Sequence, residues 1–183
     1  MSFLERLRLA IELRKQSVTL SNESVSTATT GNRPAIDRRK ASRTNARIGA
    51  SILLVDDSPT VLSALSRMLR QNHFRVLEAA DGETGLRLAQ EHLPQLIFLD
   101  IVLPGINGFE VLRYLRRNSA TSQIPVIIMS GNDQATEQFY AQRIGADDFM
   151  MKPFSRNDVF RHIEKLVVAH RLAPATQAER FVT

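Results

Sequence analysis

Five polar side chains follow short apolar stretches of the chain, and their types together suit the chemistry of phosphoryl transfer. They are Asp56, Asp57, Asp100, Ser130 and Lys152. Three carboxylates that lie close together repel one another unless a positive charge lies among them, and Mg²⁺ prefers such oxygen ligands together with water and phosphate oxygens. An aspartate can attack a phosphoryl group and become an aspartyl phosphate, while a lysine and a metal ion neutralise the charge that develops. If the fold brings the five together, they predict a Mg²⁺-dependent phosphoacceptor site.

Alternating strands and helices would bring these side chains to one edge of a sheet. Continuous apolar runs predict strands that are buried on both faces, at Ile52–Val55, Phe74–Ala79, Leu96–Leu99, Val126–Met129 and Asp148–Met151. Apolar stripes and capping residues predict helices, from Pro59 through Leu69, at Thr84–His92, Phe109–Arg117 and Asp133–Ile144, and from the cap Ser155 to about His170. This alternation implies right-handed crossovers and an α/β fold, with a parallel sheet covered by helices on both faces. Ligands bind outside the carboxyl ends of such strands, which is where the five polar residues fall.

Taken one at a time, the same residues also have structural interpretations. Asp57 suits a cap for the first helix, Ser130 and Gly131 suit a turn, and Lys152 suits a solvated surface position. Their joint placement at one sheet edge favours the functional interpretation over each of these.

Other conspicuous positions receive structural interpretations. Asp81–Gly82 is predicted to be a turn, and Gly105 and Gly108 are predicted to be turn residues that let the chain bend beside the site. The histidines lack the spacing of metal ligands and are expected to be ordinary surface or partly buried residues: His73, His92, His162 and His170.

The motifs that carry the five residues resemble the receiver domain of two-component response regulators. They are "LLVDDS", "LIFLDIVLPGINGFEVLRYLR", "PVIIMSG" and "GADDFMMKPFS", and the resemblance extends over residues 51–170. It implies a flavodoxin-like, doubly wound fold whose five parallel strands have the order 2-1-3-4-5. It also implies a signalling phosphoacceptor rather than an enzyme.

The resemblance further implies a role for each acidic residue. Asp100 would accept a phosphoryl group from a histidine kinase or a phosphotransfer protein. Mg²⁺ would be held by Asp56, Asp57 and Asp100, with the main-chain carbonyl of Val102 as a further ligand.

In the family's usual mechanism, phosphorylation shifts the protein between two conformations. Ser130 would move to the phosphoryl group, Lys152 would pair with it and Phe149 would turn inward. The surface of the fourth helix, fifth strand and fifth helix would change, and a downstream protein target would bind there. The chain departs from the commonest pattern with Phe149 in place of Tyr and with Ser130 in place of Thr, which keeps the hydroxyl. The Lys152–Pro153 bond is often cis in relatives.

Further details of the sequence are similar to regulators of twitching motility and chemotaxis-like pathways. These are "DDSPT", "DIVLPGINGFE" and "KPFS". Only 13 residues follow His170, so the chain is interpreted as a stand-alone receiver with an N-terminal extension.

The uneven distribution of charge predicts three segments. The net charge of the chain is +5. Residues 1–50 hold 10 basic and 4 acidic residues, whereas residues 51–183 hold 14 basic and 15 acidic residues. We expect a basic extension over 1–50, containing a short amphipathic helix and a flexible linker, then the receiver domain at 51–170 and a polar tail at 171–183. The absence of cysteine excludes disulfides and thiolate sites. No apolar run is long enough to span a bilayer, and we expect a cytoplasmic protein.

The extension leaves alternatives open. Residues 1–15 suit either a solvated appendage or a contact with a partner or an anionic membrane surface. One alternative function is a phosphorylation-independent adaptor that acts through residues 1–50. Another is a DNA-binding regulator that uses the basic Arg38–Arg47, although no recognition-helix pattern accompanies that segment and nucleic acid is not the expected partner.

Overall fold

The computed structural model describes residues 49–131, 135–169 and 171–173, all of which belong to one compact unit. The predicted extension helix and linker, and the polar tail from residue 174 onward, lie outside the described residues. None of the helices within these ranges is long and apolar enough to cross a membrane.

A parallel sheet of five strands forms the centre of this unit. The strands are β1 (Ser51–Val55), β2 (Arg75–Ala79), β3 (Leu96–Asp100), β4 (Val126–Ser130) and β5 (Asp148–Met151). The helices are α1 (Pro59–Arg70), α2 (Gly82–His92), α3 (Gly108–Arg117), α4 (Ala135–Ile144) and α5 (Arg156–Val168). The strand order is β2-β1-β3-β4-β5, so the predicted doubly wound fold and its order are confirmed.

Two helices begin earlier than the sequence pattern predicts, because polar side chains cap them. Asp81 accepts a hydrogen bond from the main-chain nitrogen of Thr84 at 2.7 Å, and α2 begins directly after it at Gly82. The prediction of a turn at Asp81–Gly82 was therefore wrong. Asn107 and Glu110 form a reciprocal capping box that starts α3 at Gly108.

Every residue of β3 and β4 is buried, as expected of central strands that are covered on both faces. Successive side chains alternate between two apolar layers. Leu54 and Phe98 lie in the layer formed with α1 and α5, whereas Leu53 and Leu99 lie in the layer formed with α2, α3 and α4. Each such side chain stabilises the fold by about 1.5–3 kcal/mol through burial.

A largely buried arginine joins the amino-terminal end of β4 to the loops beside it. Arg116 pairs with Asp147 at 2.9 Å and donates hydrogen bonds to the carbonyls of Gly145 and Ile124. The Asp147 carboxylate also accepts the main-chain N–H of Val126. Burial lowers the pKa of Arg116, and the charge of Asp147 opposes this.

A second ionic group joins β5 to α5. Asp148 lies 2.6 Å from His162 Nδ1 and 2.7 Å from Lys165 Nζ. Burial alone would raise the pKa of Asp148, but its hydrogen bonds with His162 and Lys165 outweigh that effect and the pKa is lowered. The ring of His162 is therefore in specific contact with the Asp148 carboxylate, which its isolated position in the sequence did not reveal.

We expect Asp148→Asn to cost about 1 kcal/mol of unfolding free energy near neutral pH, since it removes a charged hydrogen-bond acceptor. The pKa of Asp148 is lowered on folding, so its contribution is present above the unfolded pKa of about 3.9 and is lost as the pH falls through the folded value. Urea unfolding of both proteins across this acidic range measures the effect. A difference between them that stays constant with pH would contradict the assignment.

Candidate functional site

The carboxyl ends of four neighbouring strands bring the five polar residues of the sequence together. Asp56 and Asp57 directly follow β1, Asp100 ends β3, Ser130 ends β4 and Lys152 follows β5. These strands are adjacent and parallel, so the residues meet at one edge of the sheet. The local cause is the same each time, because each strand is an apolar run that ends where a polar residue begins.

The acidic residues form a cluster of suitable size for one metal ion. One carboxylate oxygen from each of Asp56, Asp57 and Asp100 lies within 4.8 Å of the others. Asp56 and Asp100 are buried, whereas Asp57 is exposed at the rim. Asp57 is not the cap of the first helix: the hydroxyl of Ser58 fills that position.

Lys152 is the counter-charge of this cluster. Its Nζ lies 2.6 Å from Asp56 Oδ2 and 3.0 Å from Asp100 Oδ1. Its main-chain nitrogen donates to the carbonyl of Ser130 at 2.7 Å, and the Lys152–Pro153 bond is cis, as expected. Burial would lower the pKa of Lys152, but the hydrogen bonds to the two carboxylates raise it, so its ammonium form is favoured. Lys152 is therefore not a solvated surface residue.

The cluster retains more negative than positive charge. Burial raises the pKa of Asp100, and the neighbouring charge of Asp56 acts in the same direction against the opposing effect of Lys152. Asp56 Oδ2 is enclosed, and it lies against the Lys152 ammonium at 2.6 Å. With three carboxylates and one ammonium, two negative charges remain when all are ionised. Oxygen donors with this excess charge fit a hard divalent cation such as Mg²⁺.

The predicted switch residues occupy different surroundings. Ser130 is buried, and its hydroxyl donates a hydrogen bond of 2.6 Å to Glu137 Oε2 on α4. Phe149 is half-buried against the apolar layer beneath α2, α3 and α4. Val102 is 73% exposed, and its main-chain carbonyl is the group available for the expected ligand role, because its side chain is a hydrocarbon. The Ser130–Glu137 contact was missed by the sequence analysis, because no periodic pattern links a strand end to a residue seven positions later.

Two glycines beside the site have different roles. Gly105 has a φ of +74°, a conformation that L-residues rarely adopt, which agrees with the predicted turn. Gly108 is instead the first residue of α3, and a Cβ atom there would lie 2.0 Å from the carbonyl oxygen of Asp100. The prediction that Gly108 is only a turn residue was therefore wrong: its missing side chain lets α3 approach the strand end that carries Asp100.

Comparison with known proteins gives a family match for most of this unit. Residues 52–164 match the family model of the response regulator receiver domain. Protein PilH of Pseudomonas aeruginosa is 40% identical over 118 residues, which are 64% of this chain and 98% of PilH. The transcriptional regulatory protein AfsQ1 of Streptomyces coelicolor is 42% identical over 103 residues, which cover 56% of this chain and 44% of that protein. The chain thus spans less than half of that longer regulator.

A solved structure with the same fold is the receiver domain of a sensor histidine kinase from Pseudomonas aeruginosa, which holds a magnesium ion in its active site cleft. It is 28% identical, has a TM-score of 0.61 and aligns over 66% of this chain and 98% of its own length.

We expect Gly108→Ala to destabilise the chain by about 1–3 kcal/mol, since the added methyl group must displace main-chain atoms rather than a flexible side chain. Gly131→Ala is the matched control, because a Cβ there meets no described atom within 4 Å. Thermal or urea unfolding of the two variants measures the difference. Equal stabilities would show that α3 can move away from Asp100 at no cost.

Proposed function

The chain belongs to the response regulator receiver family, and on this premise we propose that Asp100 accepts a phosphoryl group in a reaction that depends on a divalent cation. The donor is a phosphohistidine of a histidine kinase or a phosphotransfer protein, the class of partner with which receiver domains interact. The observation that carries the proposal is the position of the buried Asp100 carboxylate, which belongs to the acidic cluster and lies 3.0 Å from the Lys152 ammonium.

The proposed transfer makes one bond and breaks one bond. A carboxylate oxygen of Asp100 attacks the phosphorus atom, and the bond from phosphorus to the imidazole nitrogen of the donor breaks. The bonding electron pair remains on that nitrogen, and Asp100 becomes an acyl phosphate. Lys152 already contacts Asp100 and stays protonated, so it supports the ionised nucleophile and the charge on the incoming group.

The cation would be held by the carboxylates of Asp56, Asp57 and Asp100 and by the main-chain carbonyl of Val102. When bound, Mg²⁺ would supply positive charge against the phosphoryl oxygens. The proximity of the three carboxylates and the excess negative charge of the cluster support this assignment. Asp57, at the exposed rim, can bind the cation as it enters from solvent.

We propose that output is a change in partner binding. Ser130 contacts the phosphoryl group, Phe149 packs further inward, and the surface of α4, β5 and α5 changes for a downstream protein target. The similarity to PilH over nearly its whole length supports the expected pathway of twitching motility. A cytoplasmic location follows from this function, because the donor kinase makes its phosphohistidine from ATP. The adaptor and DNA-binding alternatives depend almost wholly on residues outside those described, and no described contact favours them.

We expect the wild-type chain to incorporate phosphate from acetyl phosphate in the presence of Mg²⁺, and Asp100→Asn to incorporate none above background, because the amide is not a nucleophile. Intact-protein mass measurement would detect the added phosphoryl group, and its release by hydroxylamine would identify an acyl phosphate. Asp158→Asn, on α5, is the matched control and should react as the wild type does. Incorporation that is equal in Asp100→Asn, or unaffected by removing Mg²⁺ with a chelator, would exclude the proposal.

We expect Asp57→Asn to weaken Mg²⁺ binding about tenfold or more, since it removes one charged ligand from the set. Its unfolding free energy in the absence of the cation should stay within about 0.5 kcal/mol of the wild type or rise, because an exposed charge that repels Asp56 and Asp100 is removed. Calorimetric Mg²⁺ titration and urea unfolding measure the two quantities separately. Unchanged Mg²⁺ affinity would remove Asp57 from the ligand set.

A further inference from the structure

The hydroxyl of Ser130 is held by a carboxylate that belongs to the neighbouring helix and not to the acidic cluster. Ser130 is 3% exposed, and its Oγ donates a hydrogen bond of 2.6 Å to Oε2 of the half-buried Glu137. Glu137 lies in the first turn of α4, the helix that follows β4 along the chain. The bond has an ionised acceptor and is short, as expected of the stronger class of hydrogen bonds.

The main chain of Ser130 is fixed independently of this bond. Ser130 pairs with Met151 of β5, and its carbonyl accepts the main-chain N–H of Lys152 at 2.7 Å. Met129, the residue before it, pairs with Asp100 on β3. The backbone of Ser130 is therefore held between β3, which ends at Asp100, and β5, which Lys152 follows. Its hydroxyl can change partner by rotation of the side chain.

A serine hydroxyl carries one hydrogen, so it cannot donate to two acceptors at full strength. A phosphoryl group on Asp100 and the carboxylate of Glu137 would compete for that hydrogen. Contact between Ser130 and the phosphoryl group thus requires the bond to Glu137 to break.

We propose that Glu137 is a positioning residue that holds the Ser130 hydroxyl toward α4 while Asp100 is unphosphorylated, and that it thereby weakens the phosphoryl-bound state. The inference rests on the proposed function. It assigns to this chain a carboxylate that sets how readily Ser130 engages the phosphoryl group. It also gives phosphorylation a direct effect on α4, whose exposed side chains include Phe139 and Tyr140.

A purely structural role for Glu137 makes a different prediction. An acidic residue in the first turn of a helix interacts favourably with the helix dipole, so its removal would alter α4 whether or not residue 130 carries a hydroxyl. Competition for the hydroxyl requires the effect of Glu137 to disappear when Ser130 is replaced by alanine. A double-mutant cycle separates the two.

The test measures the apparent Kd of beryllium trifluoride, a phosphoryl analogue, for the full chain in saturating Mg²⁺ by ¹⁹F NMR. We expect Glu137→Ala to bind the analogue about tenfold more tightly than the wild type, because the competing charged hydrogen bond is gone. Glu137→Gln should lie between them, since its neutral amide oxygen accepts a weaker bond. Glu91→Gln is the charge-matched control and should bind as the wild type does, because Glu91 pairs with Arg87 on the exposed side of α2.

In the Ser130→Ala background, the same Glu137→Ala change should leave the Kd within about twofold. Wild-type affinity for Glu137→Ala, or a tightening that persists in full without the hydroxyl, would overturn the inference while leaving the proposed function intact. If the wild-type chain binds no analogue and takes up no phosphate, the proposed function fails, and this inference fails with it.

Discussion

The contact of one ammonium with two buried carboxylates is the interaction on which the rest of the site depends. Lys152 lies within 3.0 Å of both Asp56 and Asp100. Burial of each unpaired charge would cost several kcal/mol, so the three groups stabilise one another only if they stay together. They come from the ends of β1 and β3 and from the residue after β5. The order of the sheet and the alignment of its carboxyl ends are therefore requirements of the site as well as of the core.

The same arrangement leaves the site short of positive charge. One ammonium cannot neutralise three carboxylates, so two negative charges remain when all of these groups are ionised. A protein that needed only stability would gain from replacing such a cluster with apolar side chains. The presence of this cluster next to an exposed third carboxylate fits the proposed function, in which a divalent cation neutralises the excess negative charge and Asp100 receives a phosphoryl group.

The helices α3 and α4 reach the site through their first turns, and each does so by a different physical means. The first turn of α3 approaches the carbonyl of Asp100 because Gly108 has no side chain to prevent it. The first turn of α4 reaches Ser130 because Glu137 is long enough to accept its hydroxyl hydrogen. The neighbouring strand ends of β3 and β4 are thus each in contact with a different helix, so a chemical change at Asp100 is adjacent to both.

The sequence alone determined the elements of this protein and the identity of its polar strand ends. Buried strands and amphipathic helices have periods of a few residues, so the five strands, the helices and the cap Ser155 could be read from local pattern. The joint occurrence of Asp56, Asp57, Asp100, Ser130 and Lys152 after such strands was enough to predict that they meet. Contacts between distant elements were decided only by the tertiary structure. The Arg116–Asp147 pair, the close approach at Gly108 and the Ser130–Glu137 bond depend on how each helix lies against the sheet, and that position is set by packing of the whole core rather than by any pattern along the chain.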